Sequence, residues 1–287
     1  MFSEYLIDKD RENIVSKGSF YGDEDIVFWE VTMGPKWLVF IHGNSACKEV
    51  FYHQVNHFAN IGYSILAIDL PGHGCSKNAS VPQNLYTIPG YASTVIRLLD
   101  KRGVTTPTIV GWSLGGHIAI EIIARGFRTA GVSICGTPPI GLGLADFTEA
   151  FIPSVEAQVT SQNRVSENEI IGYVDALYGS LNLIPKLFVD MAFRCDGVAR
   201  ETMGMDWATA KSGHCQKTVV ATSDIPIQVI HGNDDVFVNI EFIKNLAWNK
   251  LHNDKVVIID KVGHAPFLEK PITFNEHLSA FLTDIAR

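Results

Sequence analysis

A chain of 287 residues, 46% of them hydrophobic, has the material for a large buried core and suits one α/β domain with an insertion or two smaller domains. A net charge of -8 with no basic stripe argues against nucleic acid as a partner, and no apolar run approaches the roughly 20 residues of a membrane span. Five cysteines at 47, 75, 135, 195 and 215, scattered and never spaced as C-x-x-C, fit reduced thiols in a cytoplasm better than disulfides or a zinc knuckle.

Residues 1–13 carry Glu4, Asp8, Lys9, Asp10, Arg11 and Glu12 with no apolar stretch behind a basic start, so no secretory signal is expected. Residues 26–31 and 37–42 read as strands separated by Met33-Gly34-Pro35-Lys36, the second almost wholly apolar as a strand covered on both faces should be. Val50, Phe51, Val55 and Phe58 recur at helical spacing over 48–60, and 63–69 reads as the next strand, running into the loop Leu70-Pro71-Gly72-His73-Gly74. A helix over 90–102, a strand over 108–112, a helix over 115–125 and a strand over 131–136 continue the alternation.

After Thr137-Pro138-Pro139 the rhythm breaks. About 85 residues without a clear buried strand carry Phe147, Phe151, Ile171, Tyr173, Leu177, Tyr178, Leu187, Phe188, Met191 and Phe193. So long and apolar an excursion reads as a helical cap, 140–224, over a core formed by 1–139 and 225–287. Alternation returns with strands over 226–231 and 256–260, a helix around 240–249 and a closing helix over 271–285. Sequential β-α-β units predict a mainly parallel sheet with helices on both faces and a ligand site at the carboxyl ends of its strands.

Three strand-end loops offer one constellation. Thr108 to Ile118 reads strand, sharp turn, helix around Gly111-Trp112-Ser113-Leu114-Gly115, which would push the Ser113 hydroxyl beyond the strand and aim helix N–H groups at the same space. The motif alone is weak, since roughly 0.1 matches arise by chance in such a chain, so its strand-and-helix context carries the reading. His264, in Gly263-His264-Ala265-Pro266 after the last strand, can take and return a proton near neutral pH. Gly232-Asn233-Asp234-Asp235 supplies the carboxylate, with Asp235 the choice and Asp234 the fallback. His42, His73 and His231 read as loop braces, and His53 and His57 share a helical face with no third metal ligand.

The order Ser113, Asp235, His264 is the one α/β-hydrolases use. The segments HGNSACKEVF, DLPGHGCS, GWSLGGHIAIEIIARG, IHGNDDVFV and GHAPFLEKP resemble that superfamily across nearly the whole core. HGNS, YTIPGYA, GWSLGGHIAIE, GTPP and GHAPF together resemble the α/β-hydrolase-fold N-acyl-homoserine lactonases. The resemblance implies an α/β-hydrolase fold with eight strands, a cap after the sixth, and a serine esterase or lactonase without cofactor or metal.

Oxyanion donors are expected at the backbone N–H groups of Asn44 and Leu114, and substrate contacts at the Asn44 side chain and Tyr173, whose alternatives are turn bracing and packing. The expected partner is a small molecule with an apolar acyl part, with a homodimer left open and neither nucleic acid nor membrane involved. A general carboxylesterase and a carbon-carbon bond hydrolase are the rival enzymes, and a non-catalytic receptor is the rival class.

Overall fold

The computed structural model describes residues 16–20, 26–179, 181 and 183–287; the expectation for residues 1–13 lies outside them. Strand β1 (Ser16–Phe20) leads to β2 (Ile26–Val31) and β3 (Trp37–Ile41), and a 3-10 turn over Lys48–Phe51 opens α1 (Tyr52–Asn60). Then come β4 (Ser64–Ile68), α2 (Pro82–Leu85), α3 (Ile88–Arg102), β5 (Thr108–Trp112), α4 (Leu114–Ala124) and β6 (Gly131–Cys135). The strands form one sheet in the order β1-β2-β4-β3-β5-β6-β7-β8, completed by β7 (Ile227–Gly232) and β8 (Val257–Ile259) as described below. From β4 across to β8 every pairing is parallel, while β2 pairs antiparallel with β4, and β1 antiparallel with β2.

The central strands β4, β5, β6 and β7 are buried along their whole length, which is why they read as apolar runs without alternation. Helix α4 is buried on every side in the same way, with Leu114 through Ile123 packed against β5, β3, β6 and α3.

Between β6 and β7 lie α5 (Phe147–Ala150), α6 (Val155–Gln158), α7 (Glu167–Tyr178), α8 (Lys186–Arg194), α9 (Gly197–Thr209) and α10 (Gln216–Thr222). A capping box, with Ser166 and Glu169 satisfying each other's backbone N–H groups, starts α7 and so fixes Tyr173 and Leu177 on its buried side. Polar ties hold this excursion on the strand ends: Tyr173 Oη donates to the Asn44 carbonyl at 3.1 Å, Asn44 Nδ2 to the Thr160 carbonyl at 2.9 Å, and Asp196 N to the Gly72 carbonyl at 2.9 Å. After β7 come α11 (Ile240–Lys244), then β8, α12 (Pro266–Glu269) and α13 (Pro271–Asp284).

Two expectations are corrected, and one strand was not foreseen. The helix expected around 240–249 stops at Lys244, because the chain is drawn away to α10, where Asn249 N donates to the Val220 carbonyl at 3.0 Å and its side chain to the Ser223 carbonyl at 3.0 Å. His231 is a residue of β7, in register with Ile258 of β8, and not a loop brace. Strand β1 has no counterpart among the expected elements, since Ser-Lys-Gly-Ser-Phe offers no β-branched or alternating pattern.

The loops leaving β3 and β4 are stapled by one buried carboxylate. Asp69 Oδ1 accepts from Lys48 N at 2.7 Å, and Oδ2 accepts from Lys48 Nζ at 2.7 Å and Cys75 N at 2.9 Å. Burial alone would lower the Lys48 pKa, but Asp69 and Glu49 overcome it and raise it, so the ammonium stays charged. That staple fixes the segment that follows Asn44. No helix among the described residues is long and apolar enough to cross a membrane.

Candidate active site

The turn after β5 holds Ser113 at φ 52° and ψ -117°, a conformation that a residue bearing a Cβ adopts only when its surroundings enforce it. The surroundings are the two glycines. A Cβ on Gly111 would stand 2.4 Å from the Gly115 carbonyl oxygen, and one on Gly115 would stand 2.0 Å from the Ile41 carbonyl oxygen at the end of β3. Only hydrogens fit there, so strand, turn and helix close tightly enough to leave the Ser113 side chain half-buried at the start of α4.

His264 lies past the end of β8 and Asp235 past the end of β7. His264 Nδ1 donates to Asp235 Oδ2 at 2.7 Å, and both residues are buried. Asp235 Oδ1 accepts from Phe237 N at 2.8 Å and Val238 N at 3.2 Å, which locks the carboxylate plane. Burial by itself would raise the Asp235 pKa, yet the charge and hydrogen bond of His264, then His231 and the Phe237 N–H, carry it below the ordinary carboxylate value. Asp234 is exposed and its side chain accepts a hydrogen bond from its neighbour Asn233, whereas Asp235 is the acid that meets the imidazole.

The ring of His264 is held from its other sides as well. Trp112 Nε1 donates to the His264 carbonyl at 2.9 Å, and the rings of Trp112 and Phe237 stand 5.6 and 5.0 Å from the imidazole. With Nδ1 protonated toward the carboxylate, Nε2 is the acceptor.

A cavity of about 400 Å³ joins these parts, lined by Ser113, His264, Asn44 and Leu114 on the core side. Neither the Leu114 nor the Asn44 backbone N–H has a protein acceptor among the described residues, which leaves both able to receive an oxyanion. The Asn44 side chain is already engaged: Nδ2 on the Thr160 carbonyl and Oδ1 accepting from Ser45 Oγ at 3.0 Å. Tyr173 also lines the cavity, with its hydroxyl hydrogen given to the Asn44 carbonyl. Both residues therefore brace the seam between the core and the helices after β6 while bordering the cavity.

From those helices come Phe147, Phe151 and Leu177, all legible in the sequence as apolar cap residues, whereas Ile171 and Phe193 face outward. Trp207, Met203, Phe237 and His117 also line the cavity and were not singled out from the sequence. Apolar residues at helical spacing signal a buried face, not which buried face borders a void. Cys47 is buried, Cys75 is exposed, and neither borders the cavity. No group of three or more His, Cys, Asp or Glu side chains that could hold a metal ion occurs among the described residues.

His42, just past β3, braces the loop that follows it. Its Nδ1 donates to the Gly43 carbonyl at 2.7 Å and its Nε2 accepts from Leu70 N at 3.0 Å, so the ring is neutral. Burial, reinforced by neighbouring His73, lowers its pKa to about 3. An unfolded histidine titrates near 6.5, so between about pH 6.5 and 3 the unfolded chain binds a proton that the native state refuses, and stability rises with pH across that window. Urea midpoints should therefore fall on acidification below about pH 6.5. A His42→Gln variant should lose less stability between pH 7 and pH 4 than the wild type does, and equal slopes would contradict this.

The model of the alpha/beta hydrolase family matches residues 38–277, and the chain belongs to that family. Its structure superposes with a TM-score of 0.90 on the N-acyl homoserine lactonase AidH complexed with N-butanoyl homoserine, at 31% identity, covering 95% of this chain and 98% of that one. Among curated proteins, a 2-hydroxy-6-oxononadienedioate/2-hydroxy-6-oxononatrienedioate hydrolase of Paraburkholderia phymatum is 26% identical over 87% of this chain and 88% of its own length. The dihydrolipoyllysine-residue acetyltransferase component of the acetoin cleaving system of Cupriavidus necator is 24% identical, and this chain, matching over 87% of its length, spans 64% of that protein. The esterase RhEst1 from Rhodococcus, with a TM-score of 0.74 and 21% identity over 94% of this chain and 99% of that one, shares the fold.

Proposed function

We propose that this chain is a serine hydrolase that opens N-acyl-homoserine lactones through an acyl-enzyme, with Ser113 as nucleophile, His264 as general base and acid, and Asp235 as its orienting carboxylate. The observation that carries the proposal is the His264–Asp235 hydrogen bond of 2.7 Å bordering an apolar cavity that Ser113 also lines. The likeness to AidH, bound in that structure to N-butanoyl homoserine, supports the choice of lactone. We read residues 140–224 as a cap that shields this cavity from water.

In the first half-reaction Ser113 Oγ attacks the lactone carbonyl carbon while His264 Nε2 takes the hydroxyl proton. The negative charge moves to the carbonyl oxygen, where the N–H groups of Leu114 and Asn44 supply about 3 kcal/mol each of transition-state stabilisation. Collapse breaks the ring C–O bond, and His264 returns its proton to the departing alkoxide, which stays tethered through the acyl carbon chain. His264 then takes a proton from water, the hydroxide attacks the ester carbonyl, and Ser113 leaves with the proton from His264. The product is the open hydroxy acid, one water heavier than the lactone.

Among the described residues the cavity lining contains no Lys or Arg to pair with a dicarboxylate such as the name of the Paraburkholderia relative implies for its own substrate. Purified protein should open acyl-homoserine lactones of several chain lengths, scored by the acid released, at higher kcat/KM than it cleaves p-nitrophenyl esters of matched acyl length. Turnover of the aryl esters with no action on any lactone would make the chain a carboxylesterase instead.

A further inference from the structure

The mechanism above makes no use of His117, a polar residue bordering the cavity. It stands on α4 one helical turn beyond Ser113 and is 2% exposed. Its ring meets Trp207 at 4.5 Å between centroids and 82° between planes, and Phe151 at 6.4 Å. Phe147 packs on both of those rings, at 5.9 and 4.5 Å. No ring contact among the described residues joins this aromatic box to the one around His264.

Gln216 at the start of α10 sets the state of the His117 ring. Its Nε2 donates to the His117 carbonyl at 3.4 Å, which leaves its Oε1, a pure acceptor, 2.7 Å from His117 Nδ1. Nδ1 therefore carries the ring proton and Nε2 carries a lone pair. Burial lowers the pKa to about 4, so the ring is neutral at neutral pH. Nε2 has no hydrogen bond among the described residues, and the ring borders the cavity, so this lone pair is open to a donor placed there.

We infer that His117 is a specificity-determining residue whose Nε2 accepts a hydrogen bond from a hydroxyl on the acyl part of the substrate, an assignment that rests on the ester or lactone chemistry proposed for Ser113. Reach selects the donor. A helical turn advances about 5.4 Å, and a hydroxyl on the third carbon of an acyl-amide tail lies six bonds, about 7 Å when extended, from the scissile carbonyl carbon. The amide N–H lies only two bonds from that carbon and stays at the Ser113 end. A keto oxygen in place of the hydroxyl would set acceptor against acceptor and be disfavoured.

The test uses three homoserine lactones of one chain length, with 3-hydroxy, unsubstituted and 3-oxo tails. The wild type should show kcat/KM for the 3-hydroxy substrate about tenfold or more above the 3-oxo substrate, with the unsubstituted one between them. In His117→Phe the ratio should collapse to about one whatever the absolute rates. Equal wild-type rates on the hydroxy and oxo tails, or a preference that survives in His117→Phe, would overturn the inference. The wild-type panel decides even if the variant does not fold. If no lactone is opened while aryl esters are, the lactone proposal fails by itself. Aryl esters carrying the hydroxyl or keto oxygen six bonds from the scissile carbonyl then measure the same ratio.

Discussion

Ser113→Ala should lower kcat on the best substrate by about a million-fold, because the nucleophile and its base act as a unit and loss of either leaves only binding and oxyanion stabilisation. The substitution keeps the Cβ, and with it the backbone held at φ 52°, so it removes the hydroxyl without relaxing the turn. The thermal midpoint should move by no more than a few degrees, since a half-buried hydroxyl with no protein hydrogen bond among the described residues contributes little to folding. Steady-state rates with purified variants, checked against wild-type contamination by active-site titration, measure the effect. A loss under about a hundredfold would remove Ser113 from the mechanism.

Asp235→Asn should cost about 10⁴-fold in kcat with little change in KM, and the hydrogen bonds around the carboxylate give the reason. Oδ1 is pinned by the N–H groups of Phe237 and Val238, which an amide oxygen can satisfy and an amide nitrogen cannot. The asparagine oxygen therefore takes the Oδ1 position and its NH₂ faces His264 Nδ1. Facing a donor, Nδ1 must give up its proton, Nε2 must carry one, and the ring can no longer accept from Ser113. Asp234→Asn, at an exposed position with no contact to the imidazole, should leave kcat within about threefold. A large loss in the Asp234 variant with a small one at Asp235 would reverse the assignment.

How much of this was legible in the sequence depended on how local the cause was. The elbow was readable because two glycines, one serine and an apolar strand lie within a few residues, and the clash that a Cβ would make at Gly111 is with Gly115 itself. The strands β3 to β7 were readable because burial of nearly every residue leaves them largely apolar runs. Strand β1 carries no such run and, among the described residues, pairs with β2 alone. The truncation of α11 depends on Val220 and Ser223, which contact Asn249 only once the chain has folded.

The site divides along the same line. His264 and Asp235 were readable as candidates because each sits in a short loop soon after a strand, a position that the topology makes chemical. The sequence favoured Asp235 with Asp234 as fallback, because adjacent carboxylates differ only in which one the turn directs inward; in the structure Asp235 is the one that meets the imidazole. His117 was invisible for a stronger reason. A histidine inside an apolar helix reads as packing, and the residue that fixes its tautomer, Gln216, is 99 positions away. Asn44 and Tyr173 were named for substrate and are found tied to each other across the seam, a contact 129 positions apart in the chain.

Covalent capture of the nucleophile probes the central claim most directly. A fluorophosphonate should attach stoichiometrically to the folded wild type, with peptide mass spectrometry placing the adduct on Ser113. Labelling should vanish in Ser113→Ala and slow markedly in Asp235→Asn, where the imidazole can no longer withdraw the hydroxyl proton. A folded wild-type protein that stays unlabelled, or an adduct on any other residue, would contradict the account.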